Sequence, residues 1–186
     1  MNLPNKLTML RILMIPIFVV FALQGAQWCQ YVALVIYLLA CFTDMLDGKI
    51  ARSRNLITDF GKFADPIADK LLVMSAMIVL VASDRMPDWV CIVMLAREFI
   101  ISGFRLVAAG SGKVIAAAMM GKFKTVFQMS ATVALMLFVP PVAENAPLLG
   151  HFGVVLANVL MYIAVVLTII SGAEYIVKNF DCIKDM

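Results

Sequence analysis

Six apolar stretches divide this sequence, at residues 7–23, 28–54, 63–81, 89–109, 124–139 and 150–177. Each is close to the ~20 helical residues that cross a bilayer. The second and sixth are longer than a span needs, so their surplus turns should project from the membrane. Hydrophobic residues make up 63% of the chain and charged ones 15%, where a soluble domain carries about 25% charged residues. That balance excludes an ordinary soluble fold. Backbone groups in hydrocarbon must be satisfied internally, by helices or by closed barrels. Barrel strands alternate apolar and polar positions, and these runs do not. The expectation is an all-α membrane protein, a bundle of six transmembrane helices forming one integral membrane domain over residues 1–186.

The breaks agree with six spans. Residues 24–27 make a short turn, and a polar link at 83–88 carries Pro87. Gly110-Ser111-Gly112 follows the fourth run, and Pro140-Pro141 ends the fifth. Lys6 and Arg11 precede the apolar residues 12–23 as the basic residues of a secretion signal would. With further apolar runs in quick succession, the first run is read as a retained span. Lys6, Arg11, Lys49, Arg52, Arg54 and Lys62 fall on one side of the membrane, with Arg105, Lys113, Lys122, Lys124, Lys178 and Lys184. The other side holds only Arg85. Positive residues stay inside, so both termini are expected in the cytoplasm. The net charge of +3 suggests no nucleic-acid partner. The four cysteines form no CxxC pair and are expected to fill space.

One stretch resists the lipid reading: DMLDGKIARSRNLITDFGKFADPIADK, residues 44–70. Asp44 and Asp47 are three apart and Asp65 and Asp69 four apart, so each pair shares a helix face. A turn near Asn55 would bring the pairs together at the cytoplasmic mouth of two helices. Four carboxylates so placed repel one another and need positive charge. Arg52 and Lys70 are candidates, and hard divalent cations, Mg²⁺ or Mn²⁺, suit an oxygen-only set better. Two such ions can clamp a phosphoryl group in transfer. Gly48 and Gly61 lie beside the aspartates, where a ligand or a neighbouring helix approaches closely; the spacing leaves both open. Ionisable groups inside spans are functional by default. A divalent-cation transporter would use such groups too, but along a path across the membrane, whereas these collect at one face.

The spacing D-x-x-D-G-x-x-A-R-x8-G-x3-D-x3-D, carried by Asp44, Asp47, Gly48, Ala51, Arg52, Gly61, Asp65 and Asp69, resembles the signature of the CDP-alcohol phosphotransferase family without departure. NLPNKLTMLRILMIPIF at 2–18, AREFIISGFRL at 96–106 and GKFKT at 121–125 resemble the branch whose acceptor is sn-glycerol 3-phosphate. The resemblance implies a six-helix fold, usually a homodimer, in a bacterial inner membrane with its active site facing the cytosol. It implies transfer of a phosphatidyl group from CDP-diacylglycerol to glycerol 3-phosphate, with release of CMP. A relative using inositol phosphate or serine as acceptor is the alternative. On this resemblance Asp44, Asp47, Asp65 and Asp69 hold the metal, two ions, and Asp69 is also the general base. Gly48, Ala51, Arg52 and Gly61 line the CDP-lipid side.

A phosphate-bearing acceptor needs cations nearby. Arg97, Arg105, Lys122 and Lys124 are the candidates, although lysines at such places also anchor on anionic headgroups. Asn5, Thr8 and Arg11 recur every three residues. They face the nucleotide end of the site, with Asn5 and Thr8 on the CDP-lipid side, or else Arg11 snorkels to the headgroups.

Overall fold

The computed structural model describes residues 2–53, 59–110, 119–138 and 147–179. Six long α-helices make up these residues: α1 Leu3–Ala22, α2 Gln27–Ser53, α3 Asp59–Ala82, α4 Asp88–Gly110, α5 Met119–Leu137 and α6 Pro147–Asn179. The helices follow the apolar runs but begin earlier. α1 starts four residues before its run, with Pro4 in the first turn, where a missing N–H costs nothing. α5 starts five residues before its run, taking in Lys122.

Three helices are long and apolar enough to cross a membrane by length and composition: α1, α2 up to Leu46, and α6. The chain is thus an integral membrane protein. The other three helices carry ionisable residues within their apolar runs. α3 holds Asp65, Asp69 and Lys70, α4 holds Arg97, Glu98 and Arg105, and α5 holds Lys122 and Lys124.

The packing has the character of a bundle in lipid. Small residues fill the contacts between helices: Ala33 and Ala40 on α2, Ala68 and Ala76 on α3, Ala157 and Ala164 on α6 are all completely buried. Large apolar side chains point outward instead, among them Leu13, Val35, Ile92 and Phe152. Lipid tails offer helices no hydrophobic drive to associate, so close backbone approach and dispersion supply it. Gly153 shows how close: a Cβ there would lie 2.2 Å from Phe138 Cδ1, so only glycine lets α6 pass the end of α5.

α1 packs against α2 and α3, while α6 packs against α5 and α4. α2 and α3 meet α5 across the middle, and α3 also meets α4. Between α3 and α4 the chain turns at Asp84, in the left-handed region at φ 56°, which aspartate tolerates better than most residues. The Arg85 amide there closes onto the Leu80 carbonyl at 2.9 Å. This arrangement sets α1 and α3 beside the aspartates and gathers α4, α5 and α6 around a second charged region.

Candidate functional site

The first charged region is acidic and is organised from α1. Asn5, Thr8 and Arg11 lie three apart on one helix face, and all three are buried, Thr8 and Arg11 completely. The Thr8 hydroxyl donates to Asp65 Oδ1 at 2.5 Å. Arg11 Nη1 lies 2.6 Å from Asp69 Oδ1 and 3.0 Å from Asp44 Oδ1. One guanidinium thus joins α2 to α3 through their carboxylates. Arg11 does not snorkel: a buried guanidinium needs paired carboxylates to offset its desolvation, and Asp44 and Asp69 provide them. Nor does Lys70 supply the compensating charge by direct contact, since its ammonium donates to Ser102 Oγ on α4 at 2.5 Å.

The side chains of Asp47, Gly48, Ala51 and Arg52, and the turn at Asn55, lie outside the described residues. Gly61 is buried on α3, one turn before Asp65. Among the described residues no three carboxylates, thiols or imidazoles stand together as a ready metal-ligand set. The chemistry nevertheless fits a hard cation. Asp44 Oδ1 and Asp69 Oδ1 converge on one nitrogen, so a positive charge between them is already accommodated. Both side chains are also partly open, at 39% and 46% exposure. Divalent magnesium or manganese takes oxygen ligands of this kind.

A cavity of about 120 Å³ opens beside Asp69, lined also by Lys70, Met77, Glu98, Thr125 and Gln128. A second, of about 390 Å³, is basic: Arg97, Arg105 and Lys122 line it with Glu98, Thr125 and Tyr175. Glu98 and Thr125 belong to both.

Arg97 is held from its own helix and from α6. Its Nη1 lies 3.3 Å from Glu98 Oε1, and its Nη2 donates to Ser171 Oγ on α6 at 3.2 Å. Two glycines clear its path. A Cβ at Gly172 would lie 3.2 Å from Arg97 Cγ, and one at Gly121 would lie 3.4 Å from Nη2. Arg105 sits over the Tyr175 ring, 5.7 Å from its centre, a cation–π distance. Among the described residues Arg97 Nε and the Tyr175 hydroxyl are buried with no hydrogen-bond partner. Such groups are costly unless a ligand or water completes them.

Lys124 stands apart from the other three cations. It is buried, does not line the basic cavity, and pairs with Glu98. The sequence reading assigns Glu98 no role and leaves Arg11 between two placements. Both are ionisable residues within apolar runs, and that signal was available. Ser102, Ser171, Tyr175 and Thr125 give no such signal, because the packing of the helices alone brings them to the site.

A family model described as CDP-alcohol phosphatidyltransferase matches residues 1–170. A CDP-diacylglycerol–glycerol-3-phosphate 3-phosphatidyltransferase of Bacillus subtilis is 42% identical, covering 98% of this chain and 97% of its own length. A protein of the same description from Rickettsia typhi is 37% identical over 94% of each chain. A probable phosphatidylglycerophosphate synthase of Mycobacterium tuberculosis is 41% identical over 95% of this chain and 81% of its own.

Proposed function

Because the chain belongs to the CDP-alcohol phosphatidyltransferase family, we propose that it transfers the phosphatidyl group of CDP-diacylglycerol to sn-glycerol 3-phosphate. The products are phosphatidylglycerophosphate and CMP. The observation that carries this reading is the adjacency of two cavities of unlike character, one at Asp69 and one ringed by Arg97, Arg105 and Lys122. A reaction between a pyrophosphate donor and an anionic alcohol needs both. The names of the similar proteins from Bacillus subtilis and Rickettsia typhi point to the same acceptor.

On this reading the acceptor's phosphate lies against Arg97, Arg105 and Lys122, and its free hydroxyl lies near Asp69. The hydroxyl oxygen bonds to the phosphorus of the phosphatidyl group as the bond to CMP breaks. The hydroxyl proton passes to Asp69, a carboxylate fixed on one edge by Arg11. Asp44, Asp47, Asp65 and Asp69 would hold Mg²⁺ or Mn²⁺, two ions on this reading, supplying positive charge at the pyrophosphate. Asn5, Thr8, Gly48, Ala51, Arg52 and Gly61 lie toward the nucleotide. Little covalent work falls to the protein, and positioning with charge stabilisation carries the rate. The same reading places all six helices across a bacterial cytoplasmic membrane, with both termini and the charged helix ends facing the cytosol. The distribution of lysine and arginine supports that orientation.

Purified protein assayed for CMP release from CDP-diacylglycerol tests the reading, with glycerol 3-phosphate, inositol phosphate and serine offered separately. Release with glycerol 3-phosphate, abolished by a chelator and restored by Mg²⁺ or Mn²⁺, is expected. Release with serine or inositol phosphate alone would overturn it.

A further inference from the structure

A carboxylate is an odd wall for a cavity that takes an anion, because it repels the phosphate the surrounding cations attract. Glu98 is such a wall. Its simplest task is to balance Lys124, which is buried at 1% exposure and would be a costly lone charge without it. That task does not need Glu98 in the cavities, yet its side chain is 24% exposed and lines both.

Its atoms divide accordingly. Among the described residues Oε1 takes both ion pairs, with Lys124 and with Arg97. An ionised carboxylate has about four acceptor positions over two oxygens, so capacity remains for a hydroxyl. The backbone behind it is fixed. Ser102 donates to the Glu98 carbonyl at 2.6 Å and is itself held by Lys70 from α3. Facing it, the Thr125 hydroxyl donates to the Gly121 carbonyl at 3.0 Å, which leaves its oxygen able to accept as well. A molecule that reaches from Asp69 to the three cations passes Glu98 and Thr125, the residues the two cavities share.

We propose that Glu98 is a specificity-determining residue that accepts a hydrogen bond from the middle hydroxyl of a three-carbon polyol phosphate. This rests on the function proposed above and deepens it: the acceptor class is a phosphate ester with two adjacent hydroxyls. One hydroxyl reacts near Asp69, and the next is read by Glu98. The repulsion between carboxylate and phosphate is what the site accepts in return for rejecting alcohols that lack the second hydroxyl. A site built to bond a hydroxyl rejects the analogue without it far better than an apolar pocket rejects a size change.

The test compares sn-glycerol 3-phosphate with 3-hydroxypropyl phosphate, which lacks only the middle hydroxyl, by CMP release in the full chain. The wild-type protein should prefer glycerol 3-phosphate by about 100-fold in kcat/KM, the scale of a charge-assisted hydrogen bond. Glu98→Gln, which keeps a weaker acceptor, should narrow that preference to roughly 10-fold. The double variant Glu98→Met with Lys124→Met removes the ion pair together and should bring the preference near unity. If Glu98 only balances Lys124, both compounds lose equally and the ratio stays at its wild-type value, which overturns the inference. Where a variant turns over too slowly, the same ratio is read from the concentrations of the two compounds that raise its Tm, and an unchanged ratio counts equally against it. Equal wild-type use of both compounds overturns the inference alone. No wild-type release with either overturns the functional reading beneath it.

Discussion

The two charged regions are built as opposites. In the acidic one, among the described residues, one guanidinium, Arg11, holds Asp44 and Asp69, with Asp65 one turn away. In the basic one, among the described residues, one carboxylate, Glu98, sits among Arg97, Arg105, Lys122 and Lys124. Burial separates them. Arg11 is fully buried while the aspartates it holds are 39% and 46% exposed, so the minority charge stays inside and presents the majority to a ligand. Around Glu98 the order reverses: the minority charge reaches the cavities and its lysine partner is hidden. Arg11 therefore acts as an internal counter-ion, and Glu98 as a counter-ion that also meets the substrate.

The largest effect should come from the acidic side. Asp69→Asn removes the proton acceptor, and kcat should fall about 10³-fold while the KM for CDP-diacylglycerol shifts only a few-fold. Steady-state CMP release checks this, and near-normal turnover would take the base away from Asp69. Arg11→Met comes next. Two carboxylates lose their shared partner, so Tm should drop by roughly 5 °C and activity by about 100-fold. An unchanged Tm would mean that Arg11 holds nothing together and would break the comparison.

On the basic side the effect should move to binding. Arg97→Ala should raise the KM for glycerol 3-phosphate about 30-fold and leave that for CDP-diacylglycerol alone. Gly172→Ala sharpens the point with a smaller change. Its methyl would press on Arg97 Cγ from 3.2 Å, displacing the guanidinium by tenths of an ångström, and the same KM should rise about threefold. A Gly172→Ala effect on kcat alone would argue that Arg97 serves the chemistry rather than the phosphate.

Much of this was legible before any fold was known. The apolar runs and the polar breaks between them mark the six helices, and the i, i+4 spacing of Asp65 and Asp69 puts both on the face of α3 that meets Thr8 and Arg11. Helix starts were missed where Lys6 and Lys122 lower local hydropathy, because helical hydrogen bonding continues through charged turns that a hydropathy reading treats as loop. Arg11 was harder. A cation three turns into a chain reads equally as a lipid anchor or a buried ion, and only the approach of α3 to α1 decides between them. Lys124 looked like a phosphate ligand from its neighbours in sequence, but it is buried on α5 and turned inward onto Glu98. Charge in a span announces a site without saying which partner it meets, because partners come from other helices.

The division of labour between the two regions is tested most directly by binding without turnover. Labelled glycerol 3-phosphate is measured on Asp69→Asn and Arg97→Ala protein in the presence of CDP-diacylglycerol. Near wild-type affinity in the Asp69 variant, with about 30-fold weaker binding in the Arg97 variant, is the expected result. Binding lost in the Asp69 variant and kept in the Arg97 variant would contradict it.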